Sequence, residues 1–454
     1  MFFLKKFFQI TGLFSAIFLF SAGSRAQGVS NGSSGGDSLH ISLQQAVKMG
    51  LDSSKQLKIS EAKVQEAMAR YQQMKDKQLP EIKASYMASE AFIPTQKIQI
   101  KGMMQKPFYL PSTSMIYIGQ FGVNEAIFAG NKLRYAEQSA NLLEEIAKLN
   151  TANDQQDVIF MIIQSYINLY QIDENLKIIA QNLNDVQGRL DETIKFKNQG
   201  LATENDVLRF QFEKSQVELT QIDLKNNRSV ANYAMDVLLG LPDNTILHVD
   251  SIGHTADHVP SLKQWIGDAL QHREDLAVYQ YQNQLNDVNI KNIKADKLPT
   301  LGAGFTTYYL NPTKQFFPAA NSFLVPMTLG LNLSWNISSL YMTRHKLSEA
   351  AIQQHEVQIA ESATADRIRV DVSKSYHAYS DALQKITVLG TAVEQAREND
   401  RIMELKYRNQ LATTTDRIDA ETMLYQSLIN LGLAKAQAAT DYYQLLRSAG
   451  LLAK

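Results

Sequence analysis

Two aspartates in the segment TDRIDA, near the C-terminal end of the sequence, are spaced so that their carboxylates could together attract or repel ions. Asp416 and Asp419 are three residues apart, so on a helix they would share one face. Crowded carboxylates repel anions, attract cations and raise the pKa of some of their members. A simpler interpretation is also open, because Asp416 alone would stabilise a helix N-terminus through the backbone dipole.

No other pattern in the sequence is typical of an active site. There is no Gly-Lys-Ser/Thr loop, no Gly-x-Ser-x-Gly and no His-Glu-x-x-His. We therefore expect no catalytic residue, no cofactor and no metal. The segment HVDSIGHTADH is rich in possible ligands, but their spacing matches no zinc pattern, and a polar linker is the favoured interpretation. Its residues of this kind are His248, Asp250, His254, Asp257 and His258.

The composition excludes several further classes of protein. The chain has 454 residues, a formal net charge of −1 and no cysteine. A nearly neutral chain lacks the basic footprint of a nucleic-acid-binding protein. Without cysteine there is no disulfide framework, no thiolate chemistry and no lipidated N-terminal cysteine.

The N-terminal residues have the order of an export signal. The basic start MFFLKK precedes an apolar run, and the segment SAGSRA ends in the small-x-small pattern of Ser24 and Ala26. This order predicts a signal peptide at residues 1–26, with an uncleaved anchor helix as the alternative. Residues 27–40 would follow as a mobile lead. No later run reaches the roughly 18 uninterrupted apolar residues of a membrane-spanning helix.

The remainder of the chain contains one pattern twice. SLQQAVKMGL begins at Ser42 and SLKQWIGDAL at Ser261, an offset of 261 − 42 = 219. LATENDVL begins at Leu201 and LATTTDRI at Leu411, an offset of 411 − 201 = 210. The first copy thus holds 219 − 210 = 9 extra residues, which we expect in its hairpin loop. Internal repeats are a stronger indication of fold than single residues. We therefore predict a first repeat at 41–242, a linker at 243–260 and a second repeat at 261–454.

Each repeat has the same order of predicted elements. A first helix, at 42–78 or 261–297, ends at Leu-Pro because proline breaks the helical hydrogen bonding. Two strand patterns around a loop follow, predicted as hairpins at 81–128 and 300–337. A very long helix then leads through a short tip into a return helix.

The long helices, at about 131–197 and 340–408, carry coiled-coil seams. In the first copy Leu169, Leu176 and Leu183 recur at seven, and a second apolar line runs three residues behind them. At about 1.5 Å per residue such a helix is of order 100 Å long. No globular core is that thick, so the helices must pair in an elongated body.

The segment VPMTLGLNLSWNIS alternates apolar residues with small or polar ones, which is typical of a strand with two different faces. A tilted membrane strand needs about 9–11 residues and one apolar face. A soluble hairpin packed on helices is the alternative. The predicted lipid-facing residues are Val325, Met327, Leu329, Leu331, Leu333 and Trp335. Four strands cannot close a barrel, since barrels start at about eight, so the chain must form oligomers.

These features together resemble the TolC-like outer membrane efflux family. The resemblance covers the chain from about Leu39 to Gly450 and rests on the duplicated order of elements, on the tip segments NQGLATENDVL and NQLATTTDRIDA, and on LLGLP. It implies a mainly α protomer with a small β part, duplicated into four long helices and four strands. Three protomers would form a twelve-stranded barrel in the outer membrane of a Gram-negative bacterium, continued by a periplasmic α-helical barrel.

The resemblance also implies a function and partners. The homotrimer would be a channel-tunnel for efflux or export of small molecules, working passively with a periplasmic adaptor and an energised inner-membrane pump. A duct for type I protein secretion and, less favoured, a periplasmic coiled-coil scaffold remain open alternatives. The second copy lacks the tip glycine, since Gln410 runs directly into Leu411. The residues expected to face the adaptor are Gly200, Leu201, Ala202, Thr203, Asp206, Leu411, Ala412 and Thr413.

The matching family segment also has two acids three apart in its second copy, so the resemblance implies that Asp416 and Asp419 gate the tunnel. Three chains would place six carboxylates around a narrow axis. In the first copy Asp206 matches Asp416, but Arg209 stands where Asp419 does. An Asp–Arg pair at this spacing can neutralise itself, so we predict a structural tip in the first copy and the constriction in the second.

Overall fold

The structure is a computed structural model, and it describes residues 38–92, 97–98, 102, 106, 108–109, 113–252, 260–311 and 324–453. Three predictions fall wholly or largely on other residues. The signal peptide, most of the lead and much of the first hairpin loop lie outside the described residues, as do His254, Asp257 and His258.

The described part of the chain contains eight helices and eight strands. The helices are α1 (Leu43–Ser53), α2 (Lys55–Asp76), α3 (Lys132–Asn198), α4 (Glu204–Leu239), α5 (Leu262–His272), α6 (Glu274–Ala295), α7 (Ser339–Arg408) and α8 (Thr414–Ser448). The strands are β1 (Ser38–Ile41), β2 (Glu81–Phe92), β3 (Lys97–Ile98), β4 (Phe108–Tyr109), β5 (Thr113–Phe128), β6 (Ile246–Val249), β7 (Thr300–Asn311) and β8 (Met327–Ser334). The protein is therefore mainly helical with a small sheet part. Among the described helices, none combines the length and the apolar character that crossing a membrane requires.

The first helix of each repeat is in fact two helices. Ser54 alone separates α1 from α2, and Arg273 alone separates α5 from α6. Both residues leave the helical conformation, with ψ of 114° and 123°. The Ser54 side chain then caps α2 by accepting a hydrogen bond from the Leu57 amide (3.2 Å). The prediction of single helices at 42–78 and 261–297 is wrong because neither glycine nor proline marks the break.

The long helices α3 and α7 have 67 and 70 residues, or about 100 Å each at 1.5 Å per residue. Their predicted seams are buried or half-buried, and Ile172, Ile179 and Val186 of α3 are among the buried residues. Near the sheet, the packing order of the helices is α2–α3–α6–α7, and toward the tips it is α4–α3–α8–α7. Helices α2 and α4 therefore form one border of the helical layer, and α7 forms the other.

A short parallel sheet joins the start of the described chain to the linker between the repeats. Strand β1 pairs with β6 in register, with His40 opposite His248. The buried hydroxyl of Tyr166 lies within hydrogen-bond distance of the Ile41 and Asp250 carbonyl oxygens (3.0 and 3.1 Å). This sheet corrects the prediction that the lead is mobile as far as residue 40, and it gives the linker a strand that was not expected.

The main sheet is antiparallel and has the order β2-β5-β7-β8. Its two hairpins, β2–β5 and β7–β8, are joined side by side through the β5–β7 pairing. Within the described residues, β2 and β8 have one paired side each. The sheet thus ends in two open edges: β2 follows α2, at one border of the helical layer, and β8 leads into α7, at the other.

Candidate functional site

The main sheet has one apolar and one polar face. Residues directly opposite one another on neighbouring strands point to the same face. One row of cross-strand partners is Ile82, Val123, Phe305 and Leu329. The adjacent row, which points to the other side, is Lys83, Gly122, Thr306 and Thr328. The register therefore extends the alternation seen in one strand across all four.

The apolar face is exposed in the protomer. Leu329 and Leu331 have 84% and 71% of their surface accessible, and the other predicted lipid-facing residues are exposed as well. Val325 and Trp335 flank β8 rather than belonging to it. The indole N–H of Trp335 donates to the Lys297 carbonyl (3.0 Å), which fixes the ring at the helix end of the sheet.

Each tip turns through a left-handed residue. Gly200 has φ of 77°, and Gln410 takes φ of 60° at the matching position. In both turns the next amide reaches back five residues, from Leu201 to Phe196 (2.8 Å) and from Leu411 to Lys406 (2.7 Å). The second copy thus keeps the same turn without glycine, at the cost of the strain that a side chain meets at positive φ.

Each return helix begins with a capping box. In α4 the Asp206 carboxylate accepts from the Thr203 amide (2.8 Å), and in α8 Asp416 accepts from the Thr413 amide (2.9 Å). Hydrogen bonds from the Thr413 side chain and backbone hold the pKa of Asp416 below its usual value. Asp416 is thus exposed, ionised at neutral pH and engaged in a cap.

The two tips are linked to one another side by side. Thr414 donates to the second carboxylate oxygen of Asp206 (2.6 Å), and Arg209 donates to the hydroxyl of Thr415. Burial alone would raise the pKa of Asp206, but the bonds from Thr203 and Thr414 keep it low. Asp206 and Arg209 form no salt bridge with one another in the described part of the chain, and both contact α8, but the charge of Arg209 also helps to lower the pKa of Asp206.

Asp419 lies one turn beyond Asp416 and is exposed like it. Asp419 acts on Glu213 of α4, the neighbouring return helix. Burial raises the pKa of Glu213, a hydrogen bond from Thr422 lowers it, and the negative charge of Asp419 raises it again. The structure therefore brings Asp419 together with an acid of the first tip. Unlike Asp416, Asp419 takes no part in the capping box of α8.

A buried ionic cluster behind the tips was missed by the sequence reasoning. Arg417 is only 1% exposed, and its guanidinium contacts Asp400 of α7 (2.5 Å) and Glu421 of α8 (3.3 Å). On α3, Arg189 pairs with Glu404 of α7 (2.9 Å). The cluster therefore joins the return helix to both long helices just behind the turn.

Glu421 is the least stabilised member of this cluster. Burial raises its pKa to about 7, although Arg417 and Arg189 oppose the shift. Its Oε1 atom and the Nε atom of Arg417 are buried without a hydrogen-bond partner in the described part of the chain. Unsatisfied groups of this kind are rare in native interiors, so the cluster behind the tip carries a desolvation cost that its own contacts do not fully offset.

No metal centre is formed by the described residues, where no three His, Cys, Asp or Glu side chains are grouped closely enough to hold an ion. The two histidines of the β1–β6 sheet, His40 and His248, stack with ring centroids 4.8 Å apart.

Comparison with known proteins agrees with this architecture. Residues 265–451 match the model of the outer membrane efflux protein family. The outer membrane efflux protein BepC of Brucella suis biovar 1 (strain 1330) is 22% identical over 356 residues, which is 75% of this chain and 74% of that protein. Among solved structures, the outer membrane protein VceC of Vibrio cholerae superposes with a TM-score of 0.72 at 16% identity, over 90% of this chain and 96% of that chain. The CmeC outer membrane channel of Campylobacter jejuni gives 0.72 at 13% identity, over 90% and 86%.

Proposed function

The chain belongs to the TolC-like outer membrane efflux family, and on this premise we propose that it is a passive channel-tunnel for the efflux of small molecules. It is an outer membrane protein with a periplasmic extension. In the proposed assembly three protomers enclose one conduit, and the tips dock on a periplasmic adaptor that connects them to an energised inner-membrane pump.

The observation that carries this proposal is the open, two-faced sheet. Its exposed apolar face suits lipid, and its other face presents small and polar residues that suit a water-filled lumen. In lipid the free edges of β2 and β8 would leave backbone groups unpaired, at several kcal/mol each. Pairing β8 of one protomer with β2 of the next removes both edges, and three protomers of four strands give twelve strands.

The borders of the helical layer support the same assembly. Both borders expose apolar residues at helical spacing, where a solvated coiled coil would carry polar ones. On α4 these residues are Leu208, Phe212, Leu219, Ile222, Val230, Tyr233 and Val237. On α7 they are Ile352, Ile359, Val370, Val388, Ile402 and Leu405. Contact between α4 and α7 of neighbouring protomers would bury both stripes and close the periplasmic wall.

We further propose that Asp416 and Asp419 form the constriction. The Asp416→Ala, Asp419→Ala double variant is expected to lose the cation preference of the wild-type channel and its block by multivalent cations, because six carboxylates leave the axis. Single-channel recording in a planar bilayer measures both properties. Asp206→Ala is the matched control, since it removes the equivalent cap of α4 and a hydrogen bond to Thr414 but no carboxylate of the proposed ring. Unchanged ion selectivity with only a lowered melting temperature would leave Asp416 as a cap and nothing more.

The tips offer an apolar contact for the adaptor. Leu411 is 77% exposed and Leu201 is also exposed, although leucine at a solvated turn gains nothing from water. A photo-crosslinking residue at either position is expected to capture the adaptor in cells. The same residue at Leu79, beside the sheet, serves as the control. Capture from Leu79 alone would show that the orientation of the protein is reversed.

A further inference from the structure

A pair of histidines lies on the outward face of the β1–β6 sheet. His40 and His248 are directly opposite one another in the parallel register, and their rings stack at an angle of 21° between the planes. Successive residues of a strand point to opposite faces. Ile41 and Leu247, which are 1% and 0% exposed, face the core, and the two histidines are exposed on the other side. The fold therefore presents two imidazoles side by side to solvent.

The ring nitrogens of this pair are not engaged elsewhere among the described residues. Within that part of the chain, the imidazoles of His40 and His248 form no hydrogen bond and no salt bridge, and their mutual stacking is their one ring contact. A neutral imidazole has one nitrogen that donates a hydrogen bond and one whose lone pair can bind a metal ion. Two such lone pairs are therefore available on adjacent side chains.

The separation of the two rings allows both to bind one ion. An imidazole nitrogen lies about 2.0–2.1 Å from a bound zinc ion, so two nitrogens on one such ion are roughly 3 Å apart. The ring centroids of His40 and His248 are 4.8 Å apart. Because the lone pairs lie in the ring planes, the stacked rings must rotate to point at a common ion. Both side chains are exposed, and rotation breaks no hydrogen bond within the described residues.

The charges beside the pair favour a cation. The amide of Asp250 donates to the Ile41 carbonyl (3.3 Å), so the ladder continues for one residue beyond β6. Asp250 is exposed and, two residues after His248, lies on the same face by the alternation of the strand. Arg228, whose guanidinium also reaches this sheet, is already paired with Asp173 (2.7 Å). A cation at the histidines would therefore be attracted by one nearby carboxylate.

The ligands indicate which class of ion this pair can hold. Imidazole nitrogens suit copper, nickel and zinc, whereas Mg²⁺ and Ca²⁺ prefer oxygen ligands. For a given nitrogen site, the affinity rises from Ni²⁺ to Cu²⁺ and falls again at Zn²⁺. The described residues form no group of three ligands, so water must complete the coordination. A two-imidazole site of this kind is expected to be reversible and to prefer Cu²⁺.

We propose that His40 and His248 together bind one divalent transition-metal ion at the protein surface, Cu²⁺ in preference to Ni²⁺ and Zn²⁺. The ion would connect strand β1 to the linker between the repeats, across 248 − 40 = 208 residues of sequence. The unfolded chain does not hold these residues together, so the folded protein binds the ion more tightly and the ion stabilises the β1–β6 sheet. The expectation of no metal came from spacing within single segments, which cannot reveal a pair so distant in sequence. The site does not depend on the proposed channel function.

Addition of Cu²⁺ to the full-length protein in detergent tests the site, with affinity measured by competition against a chelator and the ligands identified by electron paramagnetic resonance. The wild-type spectrum is expected to show two imidazole nitrogens. His40→Asn and His248→Asn are each expected to lower the affinity by about 100-fold, because a second ligand already held in place is lost. The matched control is the His345→Asn, His355→Asn double variant, which removes two exposed histidines of α7 and should keep the wild-type affinity.

Three other outcomes overturn the proposal. Unchanged affinity in both single variants means that the ion binds elsewhere, and an equal loss in the control means unspecific binding to exposed histidines. A loss with His248→Asn but not with His40→Asn means that the linker holds the ion by itself.

A second measurement covers the case in which a substitution disturbs the fold. Each protein is melted with and without Ni²⁺, and the shift is taken against its own metal-free melting temperature. A rise is expected for the wild type and for the control, and none for His40→Asn or His248→Asn. The same rise in all four proteins, or no rise in the wild type, would count against the site.

Discussion

Replacement of Arg417 by methionine is expected to lower the free energy of unfolding by about 3–5 kcal/mol, because it removes one partner of a buried ionic contact and leaves the others unpaired. Arg417 is the only cation that the structure places against both Asp400 and Glu421 through one guanidinium, among the ion pairs of the described residues. Methionine fills a similar volume, so the loss reports charge rather than a cavity.

Arg417→Met should also change the function of the channel, because Arg417 connects two helices at the tip. Because Arg417 ties the start of α8 to α7, its loss is expected to loosen the tip and to raise the single-channel conductance of the reconstituted protein. Chemical denaturation measures the stability and bilayer recording measures the conductance. The control is Arg401→Met, which breaks an exposed pair with Glu398 (2.7 Å) and should cost about 0–1 kcal/mol. Equal effects of the two substitutions would contradict the cluster's role.

The loss of unfolding free energy caused by Arg417→Met should also depend on pH. The pKa of Glu421 in the folded protein is about 7, above the ordinary 4.5. Ionisation of Glu421 therefore destabilises the folded state, and the free energy of unfolding falls as pH rises from about 4.5 through 7. Arg417 lowers this pKa, so Arg417→Met raises it further and extends the loss to higher pH. The cost of Arg417→Met is therefore expected to be greater at about pH 8 than at about pH 6.

The parts of the fold that the sequence predicted well are those with a long periodic signal. The seams at seven placed the long helices within a residue of the observed α3 and α7, since a buried stripe over many turns leaves little freedom. The alternation in β8 likewise identified its apolar face. The hydrogen-bond register then shows that Val123 and Phe305 lie on the same face. The pattern of a single strand does not contain this information.

The parts that were missed depend on contacts distant in sequence. The β1–β6 sheet joins segments about 200 residues apart and is too short to show a period. The helix breaks at Ser54 and Arg273 lack the residues that usually mark them. Tertiary contacts, and not local propensity, decide both features.

The ionic cluster around Arg417 was not predicted from the sequence, although Arg417 lies between two residues that the sequence analysis names. Asp416 and Asp419 were singled out because their types and spacing are visible in the sequence, yet Arg417 between them was not. On a helix, residue 417 points away from 416 by about 100°, so exposed acids at 416 and 419 imply a different environment for 417. Asp400 was the usable signal, since a carboxylate at a seam position of α7 requires a buried partner.

Replacement of Leu329 by arginine is expected to destabilise the folded protein in a bilayer by about 2–4 kcal/mol, the cost of a cation at the membrane midplane on a lipid-facing strand. Leu329 is opposite Phe305, near the middle of β7, and 84% of its surface is exposed. The penalty falls to about 0–1 kcal/mol near the interfaces, so the size of the effect also reports depth.

Thr328→Arg is the matched control, because residue 328 is adjacent in the same strand but pairs with Thr306 on the opposite face. An arginine there would lie in water, and the stability should change by less than about 1 kcal/mol, while the added positive charge should shift the channel's selectivity toward anions. Refolding of the full-length protein into phospholipid vesicles, titrated with denaturant, measures both stabilities. If Leu329→Arg is harmless and Thr328→Arg costly, the apolar face does not face lipid and the barrel proposal fails. If both are harmless, the sheet lies outside the membrane altogether.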